Sequence, residues 1–181
     1  GGFTLTSQGF NPTYLPRGKT AEEVAKEEGL EIQAAILSYG SYDMYATSLK
    51  GFEKMKNFFW LISGSLPRGI FGKNFNAVDN PEMYKAVSPS FNIPMVSERK
   101  LPPQLLTVGS NDKLVTPNSV RTYKEKLESS GQQVEYWEYE GQSHAYLDSN
   151  TKGFFSNNFE INAPPALDVM IRFLNKVFYK K

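Results

Sequence analysis

The stretch Leu101-Pro-Pro-Gln-Leu-Leu-Thr-Val-Gly-Ser-Asn-Asp112-Lys-Leu-Val115, continued by Gly131-Gln-Gln-Val-Glu-Tyr-Trp-Glu-Tyr-Glu-Gly-Gln-Ser-His144-Ala-Tyr146, decides the fold. Gln104–Val108 is a short apolar run after a Pro-Pro pair, the pattern of a buried strand. Gly109-Ser-Asn-Asp is turn chemistry. Between the two quoted segments, Thr116-Pro-Asn-Ser opens a helix with proline in its first turn, which runs to Ser130 and stops at Gly131. Val134–Tyr139 alternates and is rich in β-formers, so it reads as an edge or near-edge strand. A strand–helix–strand unit of this kind makes the two strands parallel neighbours.

Working outward, Ile32-Gln-Ala-Ala-Ile-Leu-Ser-Tyr39 is a mostly apolar run that suits another buried parallel strand. Thr20 and Glu23 form a capping box, which predicts a short surface helix over 20–28 with Gly29 as its stop. Residues 44–90 read as an irregular insert or cap-like segment. Within it Phe52, Met55, Phe58, Phe59 and Ile62 recur at helical spacing, a pattern more typical of a packed helix face than of a ligand pocket. Pro164–Tyr179 reads as a final amphipathic helix. The sum is an α/β chain with about three visible strands. A three-stranded sheet of buried-type strands leaves an edge uncovered, so residues 1–181 read as the C-terminal portion of one larger doubly wound, mostly parallel domain.

Composition removes several classes of function. Lys and Arg total 20 against 19 Asp and Glu, so no net field points to nucleic acid. The longest apolar runs are far too short to span a bilayer. Without cysteine there is no thiolate zinc site or cysteine nucleophile, and one histidine cannot build a multi-histidine metal centre. Any base titrating near neutral pH must be His144.

In open α/β sheets, functional groups gather beyond the carboxyl ends of the strands. Asp112 lies four residues after Val108 and His144 five after Tyr139, so both loops emerge at the same sheet edge. There a carboxylate can hold an imidazole in one tautomer and stabilise the imidazolium. Each residue alone has a plainer reading: Asp112 as an Asx-turn residue and His144 as an exposed loop histidine. Their joint placement favours the pair.

Together, the two quoted segments resemble the end of a hormone-sensitive-lipase-type esterase of the α/β-hydrolase fold. That family shows a Pro-Pro pair before a strand, a Gly-x-x-Asp-x-Leu turn and a Gly-x-x-His-x-aromatic loop. Ser88-Pro89 and Asp43 also sit where it often has Ser-Pro and an Asp-containing segment. The resemblance covers residues 30–180 and implies a serine carboxylesterase with Asp112 and His144 as acid and base, no cofactor, and a small-molecule ester substrate. Phe58, Phe59 and Trp60 are candidates for shaping the acyl or alcohol pocket.

No convincing nucleophile is visible. Gly141-Gln-Ser143-His-Ala145 imitates a nucleophile elbow, but the only histidine is Ser143's immediate neighbour; Thr6-Ser7-Gln8-Gly9 lacks the preceding glycine. The resembling family's elbow ends in two glycines after the serine. Gly1-Gly2 therefore reads either as that pair, with the serine on an upstream segment of the same protein, or as a tag remnant. On the first reading the 181 residues alone are expected neither to fold stably nor to hydrolyse esters. Two competitors remain: a serine peptidase resembling the prolyl oligopeptidases, which share the Asp-then-His order, and a non-catalytic binding protein of the same fold.

Overall fold

The computed structural model describes residues 17–19, 23, 24, 27, 32–54, 70–72, 74–149 and 157–179. Their elements run β1 (Ala35–Ser38), α1 (Met44–Leu49), α2 (Pro81–Ala86), a 3-10 turn at Pro89–Phe91, β2 (Gln104–Gly109), α3 (Pro117–Ser129), β3 (Val134–Tyr139) and α4 (Phe159–Phe178). The three strands form one parallel sheet in the order β1-β2-β3. This is an open α/β sheet with helices, as the sequence predicts. Of the helix expected over 20–28, Glu23, Val24 and Glu27 are described and are helical.

Strand alternation sorts the residues into two faces. Leu37, Leu106 and Tyr136 share one row across the sheet, and Ser38, Thr107 and Trp137 share the next. The first face packs with Val108, Val134, Leu101 and Tyr42 against Val120, Tyr123 and Leu127 of α3. Tyr42 stacks on Tyr123 with ring centroids 4.1 Å apart, and Arg121 of α3 pairs with Glu138 of β3 at 2.5 Å. On the opposite face, Lys176 of α4 pairs with Glu135 at 2.9 Å. β2, the central strand, is buried along its whole length, while every residue of β3 is half-buried. A two-sided burial of this kind explains why β2 reads as a mostly apolar run and β3 alternates.

Local chemistry fixes the ends of α3. The Ser119 N–H bonds Thr116 Oγ1 at 3.3 Å, with Pro117 in the first turn. At the other end Gly131 takes φ 74°, and the N–H groups of Gly131 and Gln132 reach back to the carbonyls of Glu128 and Leu127 at 2.9 Å each. That is a Schellman closure, for which glycine carries no steric cost.

One sequence boundary moves. The last helix begins at Phe159 rather than at Pro164, so Pro164 and Pro165 lie inside it. Asn158 caps the earlier start by accepting the Glu160 N–H at 3.0 Å. The buried Asn162, Ala163 and Ala166 hold the proline-bearing turns in place although two backbone donors are missing. Within 44–90 the described residues include α1 and α2. There the Tyr45 N–H donates to Ser88 Oγ at 3.0 Å, and Ser88 donates to the Tyr84 carbonyl at 2.7 Å, tying α1 to α2. Asp43 caps α1 through the Ala46 N–H at 2.8 Å. Among the described residues, no helix is long and apolar enough to cross a membrane.

Candidate active site

Two loops leave the carboxyl ends of β2 and β3 side by side and are stitched together by their backbones. Ser110 N–H donates to the Tyr139 carbonyl at 2.9 Å, and Asn111 N–H to the Gln142 carbonyl at 2.8 Å. Gly141 N–H returns to Ser110 Oγ at 2.8 Å, and the Asn111 amide reaches the Gly141 carbonyl at 3.1 Å. The approach is close enough that a Cβ on Gly109 would lie 2.3 Å from the Gln142 carbonyl oxygen.

This stitching brings Asp112 and His144 together, with Asp112 Oδ2 2.8 Å from His144 Nδ1. The Asp112 side chain is fully buried and that of His144 is 23% exposed, so the carboxylate is shielded while the imidazole keeps access. Asp112 Oδ1 accepts the N–H groups of Leu114 and Val115 at 2.9 and 2.8 Å. The Asx-turn reading and the paired-carboxylate reading are thus both satisfied by the same residue, one oxygen each. A buried carboxylate with all of these partners is held in one rotamer.

Three further contacts surround His144 that the sequence alone does not single out. Asn157, buried just before α4, donates its side-chain amide to the carbonyls of His144 and Ala145 at 2.9 and 2.8 Å. Tyr39, just past the end of β1, meets the imidazole with ring centroids 5.2 Å apart at an interplanar angle of 64°. Tyr146 packs against Tyr39, ring centroids 5.3 Å apart, with its hydroxyl 2.5 Å from Thr107 Oγ1. Burial raises the Tyr146 phenol to about 12 against opposing hydrogen bonds from Thr107 and Ser38. Burial first, and the charge of Asp148 second, also raise the Tyr39 phenol. The rule that marked Asp112 and His144, a polar residue just past a strand's carboxyl end, applies equally to Tyr39. Asn157 carries no comparable signal.

Ser143 lies in the same loop, half-buried, with its carbonyl against Gly109. Phe58, Phe59, Trp60, Gly1, Gly2 and Ser7 lie outside the described residues.

A buried Asp and a partly exposed His thus stand together at the carboxyl ends of adjacent parallel strands of an open α/β sheet. Solved structures carry the same fold: the propionate-bound esterase 2 of the planctomycete Thermogutta terrifontis is 18% identical, with a TM-score of 0.59 over 98% of this chain and 52% of that one. The sarin-phosphonylated form of the same esterase gives 19% identity and a TM-score of 0.59 over 99% of this chain and 54% of that one. The chain therefore spans about half the length of the esterase structures it matches. No curated protein matches it. Residues 33–157 match the prolyl oligopeptidase family, and the chain belongs to that family. The hormone-sensitive-lipase resemblance and the family match thus agree on the fold and differ on the branch.

Proposed function

We propose that this chain supplies the acid and base of a serine hydrolase acting on carboxylic esters, with the nucleophilic serine contributed by residues beyond the 181. The observation that carries the reading is the 2.8 Å contact between Asp112 Oδ2 and His144 Nδ1 at the edge where strand ends converge. With Nδ1 committed to the carboxylate, Nε2 is the nitrogen that exchanges protons with the nucleophile. It takes the serine proton as the oxygen attacks the ester carbonyl, then returns that proton to the departing alcohol. Water repeats the sequence on the acyl-enzyme, giving the acid and the restored serine. The ester preference rests on the hormone-sensitive-lipase-like motifs and on the esterase neighbours. Phe58, Phe59 and Trp60 are assigned in this reading to the substrate pocket, and no cofactor takes part.

Membership of the prolyl oligopeptidase family favours a second reading, hydrolysis of a peptide bond by the same pair. The test uses the full-length protein. A fluorophosphonate probe should label it, and the His144→Gln variant should react far more slowly. Turnover of p-nitrophenyl butyrate without release of p-nitroaniline from aminoacyl anilides supports the ester reading. The reverse pattern supports the peptidase, and absence of labelling in the folded protein points to a binding protein of the hydrolase fold.

A further inference from the structure

Among the described residues only Tyr39 and Ala145 are non-glycine residues with positive φ, at 42° and 58°. Both touch the His144 site: Ala145 follows the histidine in sequence, and Tyr39 packs on its ring. A left-handed backbone is unfavourable for an aromatic residue and free of penalty for glycine. Glycine stands next door at Gly40, yet the left-handed position is occupied by a tyrosine. Such strain persists where surrounding contacts over-determine it, and it gathers at functional sites.

Several contacts hold Tyr39 in this conformation. Its N–H donates to the Thr107 carbonyl at 2.7 Å, extending the β1–β2 ladder one residue past the strand. From there its ring meets Tyr146 at 5.3 Å, 83° between planes, and His144 at 5.2 Å, 64° between planes. Tyr146 is itself fully buried and anchored through Thr107, whose hydroxyl also reaches Ser38 at 3.0 Å. The brace therefore runs from the sheet through Tyr146 and Tyr39 to the imidazole.

We infer that Tyr39 is a positioning residue for His144, its ring restraining the imidazole that Asp112 orients at Nδ1. This rests on the hydrolase reading above. Aromatic pairs in this tilted, T-shaped range are attractive. The ring thus adds a packing restraint on the imidazole beside the hydrogen bond at Nδ1. The hydroxyl has no part in this role.

The test compares Tyr39→Phe, Tyr39→Leu and Tyr39→Gly in the full-length protein, reading ester kinetics together with the NMR resonances of the His144 imidazole, assigned by their loss in His144→Gln. Tyr39→Phe is expected to keep kcat within twofold and leave the imidazole signals in place. Tyr39→Leu should lower kcat about fivefold to tenfold with KM nearly unchanged, and should move the imidazole protons out of the ring-current field. Tyr39→Gly accepts the left-handed backbone without strain and guards against misfolding; it should be as slow as Tyr39→Leu. Full kcat in the glycine variant, unmoved imidazole signals in the leucine variant, or a phenylalanine variant as slow as leucine each overturns the inference. Loss of no activity in His144→Gln sinks the hydrolase reading instead, a result separate from the ring-current shift.

Discussion

Oδ1 of Asp112 accepts the N–H groups of Leu114 and Val115, while Oδ2 meets His144 Nδ1. Replacing this one residue therefore has two separable effects. Asp112→Asn keeps an oxygen for the turn but places an amide N–H against Nδ1, which imposes the wrong imidazole tautomer. In a serine triad that exchange costs about 10⁴ in kcat with the geometry intact. We expect Asp112→Asn to lose about three to four orders of magnitude in kcat with a melting temperature close to that of the wild type. Asp112→Ala should be as inactive and also less stable by ~0.5–1.5 kcal/mol per hydrogen bond lost, because the Leu114 and Val115 N–H groups lose their acceptor. Thermal melts beside steady-state kinetics separate the two. Equal melting temperatures for Asn and Ala would remove the turn from Oδ1's role.

At the scale of elements, the site depends on how closely two loops and one helix start approach one another. Gly109 ends β2 under the backbone of the His144 loop, with room for no Cβ. Gly109→Ala must push the loops apart, so we expect both destabilisation of ~1–3 kcal/mol and loss of most activity, read by denaturant melts and ester turnover. Asn157 acts from the other side. Asn157→Ala leaves the carbonyls of His144 and Ala145 without its amide, and we expect a drop of ~1–3 kcal/mol together with a lowered kcat. A variant as stable and fast as wild type would show that the His144 loop holds itself. These same elements show what the residues make legible. The strand runs at 104–108 and 134–139, the proline-started α3 and the strand-end rule suffice to place Asp112 beside His144, because each is a local pattern read against one topological fact. Asn157, the left-handed Ala145 and the start of α4 escape that reading. A side chain that binds carbonyls twelve and thirteen residues away leaves no periodic trace, and two prolines mark a helix start by propensity when tertiary burial places it five residues earlier.

Across the molecule, the buried phenols link the two faces of the sheet to its behaviour at high pH. Tyr42 on the α3 face and Tyr146 against Tyr39 are both almost wholly shielded, and burial is the first cause of the raised phenol in each. For Tyr146 the folded value of about 12 stands above the ordinary 10. A raised acid holds its proton longer in the folded state than in the unfolded chain. Its contribution is therefore complete below pH 10 and is lost as the pH rises from 10 through 12, by ~3 kcal/mol at most. Tyr146→Phe removes that titration together with the 2.5 Å contact to Thr107. At pH 7 it should be less stable than wild type by ~0.5–1.5 kcal/mol, the net worth of one hydrogen bond. Between pH 10 and 12 the wild type should lose stability faster, so the two curves of unfolding free energy against pH should converge and then cross. A gap that stays constant from pH 7 to 12 would mean that Tyr146 does not keep its proton in the folded state, and that the packing behind Tyr39 is more open to water than its burial implies.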